Sequence, residues 1–305
     1  MTTYRSTRKT RLKNVFQLNN QTLVAWIMLL PTLFMLGVFV YYLMLQAFTL
    51  SFFKSNVISG AKTFIGLKNF EFLFTKDRQF IASVQNTFVY TFFNMSFGLV
   101  LALMLSLICQ KTSKLINLFR TATFIPVVIP MVTAGLIWKL MLEPQFGIVN
   151  QFIALFGGPK IKWLFSSTYA LPTVIFVSVW KEVGMYTMIF VGGLQQIPGD
   201  LYEAAAIDGS NSFQKFIHIT IPLLKPTIFF VSMMLLITSF KVFDQVWIMT
   251  QGGPGSATLT LTAYIYGRIF DNPGLANAGS VVLFGIVMIL TVGQWMFFER
   301  SGDKK

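Results

Sequence analysis

Between two long apolar segments the chain reads Glu203-Ala204-Ala205-Ala206-Ile207-Asp208-Gly209, followed by Ile219-Thr220-Ile221-Pro222. The run of alanines favours a helix, and Gly209 suits the position just after a helix end. Asp200 precedes Glu203 by three residues, which is the spacing of a capping box at a helix start. The stretch is therefore predicted to be a short helix in a polar loop, with small side chains that allow another protein to approach closely.

The composition around this loop is that of a membrane protein. The chain has 305 residues, of which 54% are hydrophobic and 11% charged, with a mean hydropathy of +0.66. A soluble domain carries about 25% charged residues. Six apolar segments reach or approach the roughly 20 residues that a membrane span needs: Leu23–Phe48, Val84–Cys109, Thr121–Leu142, Leu171–Gln195, Pro226–Thr250 and Ser280–Phe298. We predict an all-α integral membrane protein with six transmembrane helices and a short cytoplasmic helix between the fourth and fifth.

Lysine and arginine residues predict the orientation, because they accumulate on the cytoplasmic side of a membrane protein. One side of the six-span arrangement carries Arg5, Arg8, Lys9, Arg11, Lys13, Lys111, Lys114, Arg120, Lys215, Lys225, Arg300, Lys304 and Lys305. We therefore predict a multi-pass protein of the plasma (inner) membrane with both termini in the cytoplasm. We expect a basic cytoplasmic tail over 1–20, which either lies on the anionic lipid of the inner leaflet or only controls orientation. A six-span domain is expected over 21–300 with its cytoplasmic loop at 198–222, and a cytoplasmic tail over 301–305. We interpret the net charge of +13 as a signal for membrane orientation, and we expect no nucleic acid as a partner.

The cytoplasmic loop is predicted to hold a second short helix after the first. That helix begins at Ser212 and ends near Pro222, because proline removes a backbone donor. The two helices would be bent against each other beneath the membrane. Glu203 either offers an ionic contact to a soluble partner or only completes the helix cap, and both roles can coexist because a carboxylate has several acceptor sites.

The spacing of this loop resembles the signature of permease subunits in binding-protein-dependent ABC importers. The matching residues are Glu203-Ala204-Ala205, Gly209, Ile219 and Ile221-Pro222, with Ile221 where the family usually has leucine. Other stretches resemble the carbohydrate-uptake branch, and within it the maltose- and glycerol-phosphate-type first permease: Asn86-Thr87, residues 120–126, Trp138, Phe243-Asp244, residues 250–254 and Ala276-Asn277-Ala278.

The resemblance implies a role as one subunit of an ATP-driven sugar importer. Its loop would form a coupling helix that docks on an ATP-binding subunit, with contacts from Glu203, Ala204, Ala205, Asp208 and Gly209. The implied partners are a second homologous permease subunit, two ATP-binding subunits and an extracellular solute-binding protein. The chain has no G-x-x-x-x-G-K-[ST] phosphate loop. We therefore expect no cofactor in this chain, ATP and magnesium in the partner subunits, and no enzymatic activity of its own. The second permease subunit is expected to be a different chain, which would make a heterodimer, but a homodimer of this chain stays open.

Two pairs of ionisable residues lie inside the predicted spans, where such residues mark functional sites. Lys181 and Glu182 lie about 15 Å below the start of the fourth span, and Lys241 and Asp244 lie at a similar depth in the fifth. Lys241 and Asp244 are three residues apart and should share a helix face. The four residues form either a structural ion network or the polar part of a sugar pathway, whose predicted lining is Trp180, Lys181, Glu182, Tyr186, Lys241, Asp244, Gln245 and Trp247.

Two other classes of protein compete with the importer subunit. An ion-gradient-driven secondary transporter could use the Lys/Glu/Asp cluster as a proton relay, but six spans are half of many such carriers. A membrane enzyme is disfavoured because the only histidine and cysteine are His218 and Cys109, which make neither a metal site nor a nucleophile–base pair. The favoured substrate is a neutral oligosaccharide. A phosphorylated polyol stays open, although the spans contain lysines and no arginine for bidentate phosphate binding.

Overall fold

The computed structural model describes residues 20–55, 62–110 and 113–302, and these are mostly helical. The described ranges do not include residues 1–19 of the predicted basic tail, Lys111 or residues 303–305. The helices are α1 (Asn20–Leu36), α2 (Leu43–Leu50), α3 (Lys68–Thr75), α4 (Arg78–Cys109), α5 (Lys114–Val128), α6 (Met131–Met141), α7 (Ile148–Leu155), α8 (Ala170–Gln195), α9 (Gly199–Ile207), α10 (Ser212–Lys215), α11 (Ile221–Phe240), α12 (Asp244–Met249), α13 (Leu261–Arg268) and α14 (Pro273–Gly302). Two π-helical turns, Gly37–Tyr42 and Phe216–Thr220, join α1 to α2 and α10 to α11, and β1 (Phe53–Ser55) pairs antiparallel with β2 (Lys62–Phe64).

Five helices in the described ranges are long and apolar enough to cross a membrane. They are Thr22–Leu50, Arg78–Cys109, Ala170–Gln195, Ser212–Phe240 and Pro273–Glu299. The pair α5 and α6 makes a sixth span when the two helices, which are bent by 99°, are counted as one. The prediction of a mostly helical protein with apolar membrane-spanning helices is confirmed.

The third predicted span is broken in its middle. Helix α5 ends at Val128, and Ile129 adopts an extended backbone with φ −65° and ψ 129° before Pro130 starts α6. Proline disfavours the helical region for the residue before it, which explains the extended Ile129. The third predicted span is therefore fully interrupted at Pro130.

The fifth predicted span, Pro226–Thr250, is not one helix. Helix α11 ends at Phe240, and α12 begins only at Asp244. Two hydroxyl groups from the start of α13 satisfy carbonyls at this end: Thr260 donates to Val242 O at 3.1 Å and Thr262 to Phe240 O at 3.4 Å. The expected common helix face of Lys241 and Asp244 is therefore wrong, because the chain turns between them.

The second short helix does not end near Pro222. Asn211 and Gln214 form a capping box at the start of α10, and the helix continues through the π-helical turn into α11. Pro222 lies directly after the π-helical turn, at the second residue of α11. The polar loop therefore leads directly into the fifth span, and the expected pair of separate short helices is wrong.

The core is built around α4 and α8, and 56% of the most apolar stretch of α8 is buried inside the protein. Helix α4 buries a stripe of small and polar residues spaced three or four apart: Ser83, Thr87, Thr91, Asn94, Gly98, Ala102 and Ser106. Small residues let membrane helices approach closely. Asn94 also crosses to α11, where its side-chain amide donates to Ser239 Oγ at 2.9 Å.

A polar clamp joins the start of α4 to α13. The Asp77 carboxylate caps α4 by accepting from the backbone amides of Gln79 and Phe80. The Tyr264 hydroxyl donates to the other Asp77 oxygen at 2.7 Å, and Arg268 pairs with the same oxygen at 3.3 Å. Burial raises the pKa of Tyr264, and its hydrogen bond to Asp77 raises that pKa further, so the tyrosine remains a neutral donor.

Candidate functional site

Helix α9 starts without a side-chain cap. Its first residue is Gly199, and Pro198 occupies the cap position with φ −59° and ψ 131°. The predicted capping box from Asp200 to Glu203 is wrong, because Asp200 already lies inside the first turn. Its negative charge still favours this helix end through the helix dipole, and the Glu203 carboxylate is left exposed.

The end of α9 matches the prediction made for Gly209. This residue adopts φ +78°, and the amide of Ser210 donates to Ala205 O at 2.9 Å while the amide of Gly209 donates to Ala206 O at 3.1 Å. These two bonds form a Schellman motif, which requires a left-handed residue that glycine adopts without strain. The local sequence therefore fixes where α9 stops and how the chain turns toward α10.

The predicted coupling residues lie together on the surface. Glu203, Ala204, Asp208 and Gly209 are exposed and Ala205 is half-buried. We call this patch of α9 and the turn after it, residues 203–209, the coupling surface.

Two exposed apolar side chains flank the turn of the coupling surface and were missed by sequence reasoning. Ile207 is 88% exposed and Phe213 is 69% exposed. Large exposed apolar side chains favour a protein partner, and two such residues near a glycine in a polar loop would have been the signal. Behind this surface, the Tyr202 hydroxyl lies 2.9 Å from Thr220 Oγ1 and ties α9 to the base of α11.

The predicted intramembrane charges do not pair with one another. Lys181 donates from Nζ to the backbone oxygen of Val127 at 3.2 Å, and Glu182 Oε1 lies 3.5 Å from the amide nitrogen of Gln245. Within the described residues, the ion pair formed is that of Asp77 with Arg268, and Lys241 and Asp244 lie exposed at the break between α11 and α12. The alternative of a structural ion network is therefore not what the structure shows.

Aromatic rings from the same helices and their neighbours pack in two sets. Trp180 packs edge-on against Trp138 with ring centroids 5.3 Å apart. Phe243 stacks on Trp247 at 5.6 Å, and Tyr266 lies 4.8 Å from Phe243 and 4.9 Å from Trp247. Of these five rings, sequence reasoning placed only Trp180 and Trp247 in the pathway. Trp138 of α6 and Tyr266 of α13 reach them through tertiary packing.

Tyr186 is more buried inside the protein than the other predicted pathway residues. It is 2% exposed, and its hydroxyl lies 3.4 Å from Thr238 Oγ1 of α11. The structure thus brings Glu182 and Gln245 together, holds Tyr186 in the core, and leaves Lys241 and Asp244 accessible. We call the group Glu182, Gln245, Phe243, Trp247 and Tyr266 the polar–aromatic patch.

Comparison with known proteins supplies the family. Residues 94–297 match the family model described as the binding-protein-dependent transport system inner membrane component. This chain belongs to that family. The permease is therefore a membrane component of a transport system and not an enzyme, and the gradient-driven alternative is not favoured.

Individual relatives cover almost the whole permease. It is 35% identical to the probable ABC transporter permease protein YurN of Bacillus subtilis, over 94% of this chain and 99% of that protein. It is 31% identical to the trehalose/maltose transport system permease protein MalF of Thermococcus litoralis, over 88% and 91% of the two chains.

A solved structure shares the fold. It is that of a bacterial ABC transporter that imports the acidic polysaccharide alginate, with a TM-score of 0.82 at 22% identity, over 97% of this chain and 100% of that chain. The likeness extends over the described spans.

Proposed function

We propose that the permease moves a sugar, with a neutral oligosaccharide as the favoured substrate, across the plasma membrane by alternating access. The observation that carries this proposal is the polar–aromatic patch at the break in the fifth span, where the Glu182 carboxylate lies 3.5 Å from the Gln245 side-chain amide and the rings of Phe243, Trp247 and Tyr266 pack on one another. Carboxylates and amides bind hydroxyl groups, and ring faces cover apolar surface. The Thermococcus litoralis relative, named for trehalose and maltose, supports the same class of substrate.

The proposed complex contains this chain, a second homologous permease subunit, two ATP-binding subunits and an extracellular solute-binding protein. The coupling surface faces the cytoplasm, where the ATP-binding subunits bind ATP and magnesium, and both termini lie on that side. Glu203, Ala204, Ala205, Asp208 and Gly209 contact an ATP-binding subunit. Support comes from the exposure of Glu203, Ala204, Asp208 and Gly209 at the end of one short helix and in the turn after it, and from exposed Ile207.

The substrate class can be tested with proteoliposomes that hold the complete complex. We expect ATP-dependent uptake of a labelled neutral oligosaccharide when its binding protein is supplied, and no uptake without either ATP or the binding protein. A complex that transports glycerol phosphate and ignores oligosaccharides would overturn the substrate assignment.

Asp244→Ala is expected to lower sugar uptake about tenfold, the effect of losing one hydrogen bond to a charged group. Asp244 is exposed at the start of α12, so the substitution should not disturb packing or assembly. The measurement is the uptake rate per complex, with co-purification of the partner subunits as the assembly check. Asp271→Ala, which removes an exposed carboxylate in the turn between α13 and α14, is the matched control. An unchanged uptake rate in Asp244→Ala would remove this residue from the pathway.

A further inference from the structure

The break in the third span removes the partner of a backbone carbonyl. In an unbroken helix the oxygen of Val127 would accept from the amide of Met131, four residues later. Here α5 ends at Val128, α6 starts at Met131, and the axes differ by 99°. A carbonyl inside a membrane protein must find another donor, because the surrounding lipid offers none.

Lys181 supplies that donor from α8. Its Nζ lies 3.2 Å from Val127 O, and its side chain is half-buried. A positive charge at the C-terminal end of a helix is also favoured by the helix dipole. Lys181 therefore stabilises the last turn of α5 in two ways, because it donates a hydrogen bond to a free carbonyl and places a positive charge at the helix end.

The close approach of α5 and α8 places the lysine within reach. A Cβ atom built on Gly184 would lie 2.2 Å from Thr123 O, so the two backbones touch at this glycine. Gly184 lies one turn after Lys181, and Thr123 lies one turn before Val127. The two contacts therefore follow each other along an antiparallel helix pair.

The other half of the broken span packs on a different element. A Cβ atom built on Gly135 of α6 would lie 2.9 Å from Ile248 Cγ2 of α12. Helix α12 also carries Gln245, whose amide lies 3.5 Å from Glu182 Oε1. Neighbouring residues of α8 thus contact one side of the break directly and the other through a second helix, because Lys181 binds α5 while Glu182 meets α12, which packs on α6.

We infer that Lys181 is a positioning residue that caps α5 and fixes the bend between α5 and α6. The bend determines where α6 and α12 lie, and therefore where the polar–aromatic patch stands relative to α8. Its ammonium binds the backbone and not the sugar. This assignment rests on the proposed function only for its transport readout, since the bend itself can be measured without any sugar.

The bend is measured between spin labels on the complete complex. Leu118 and Leu140 are 66% and 64% exposed and lie on the two sides of the break, so both are replaced by labelled cysteines in a Cys109→Ala background. Lys181→Met keeps an apolar stem and removes the donor. We expect it to shift or broaden the label distance by several ångströms, and to lower turnover about tenfold with the KM for the sugar-loaded binding protein unchanged.

Two further variants separate positioning from other effects. Lys181→Arg retains a charged donor and should restore both the distance and the turnover. Lys225→Met, which removes an exposed lysine from α11, should change neither. Should Lys181→Met fail to assemble, Lys181→Gln replaces it and must give a label distance that is shifted or broadened relative to the native complex.

The inference is overturned if Lys181→Met keeps the native label distance and instead raises the KM, since that would make Lys181 a substrate contact. It is also overturned if Lys181→Arg fails to restore a distance that Lys181→Met has changed. A distance shift in a complex that transports no sugar would uphold the positioning role while contradicting the proposed substrate.

Discussion

Gly209→Trp is expected to abolish sugar-dependent ATP hydrolysis in the complex while the permease stays inserted in the membrane. Gly209 has φ +78° and ends α9 through the Schellman motif with Ala205 and Ala206. A residue with a Cβ in this conformation costs about 1–2 kcal/mol, and an indole beside Glu203 would also obstruct docking. The measurement is ATPase activity stimulated by the sugar-loaded binding protein, with the basal ATPase activity of the same preparation alongside.

Gly199→Trp is the matched control for this substitution. Gly199 starts the same exposed helix, a Cβ atom added there would meet no atom within 4 Å, and its φ is not positive. We expect the variant to retain most of the stimulated activity, because the turn after α9 is left intact. Normal sugar uptake by Gly209→Trp would contradict the role assigned to the coupling surface.

Gly184→Ala is expected to reduce the stability of the permease more than any other single methyl group added to α8. Its Cβ would lie 2.2 Å from the backbone oxygen of Thr123, which cannot move aside as a side chain would. Forcing extra atoms into a packed contact costs about 1–3 kcal/mol. The added separation would also stretch the bond from Lys181 to Val127 O, so the bend in the third span should loosen as well.

Gly192→Ala provides the control within the same helix. Gly192 lies two turns further along α8, and no atom lies within 4 Å of its Cβ position. The measurement is the thermal unfolding temperature of the purified complex, together with the amount of complex recovered from the membrane. Equal values for the two alanine variants would show that the contact between α5 and α8 is looser than described.

Features set by local sequence could be predicted. Apolar segments of about 20 residues predicted the membrane-spanning helices, since span length follows from composition. The stop at Gly209 was also predicted, because a left-handed turn after a run of alanines depends on neighbouring residues alone. The missed start of α9 is a local exception, in which Pro198 set the boundary before Asp200 could cap the helix.

Features set by distant residues could not be predicted. The fifth span ends at Phe240 because hydroxyl groups from Thr260 and Thr262 satisfy the carbonyls there. Lys181 binds a carbonyl 54 residues earlier in the chain, so its sequence neighbour Glu182 wrongly suggested an ion network. Neither contact leaves a periodic signal in the sequence, and both required the packed helices.

The central claim is that this chain moves substrate only as part of an ATP-driven, binding-protein-dependent complex. The most direct test is uptake of a labelled oligosaccharide into two sets of proteoliposomes, one holding this chain alone under an imposed proton gradient and one holding the complete complex with ATP and binding protein. We predict uptake only in the second set, and loss of that uptake with Glu203→Ala combined with Gly209→Trp. Gradient-driven uptake by the chain alone, unaffected by these substitutions, would contradict the account.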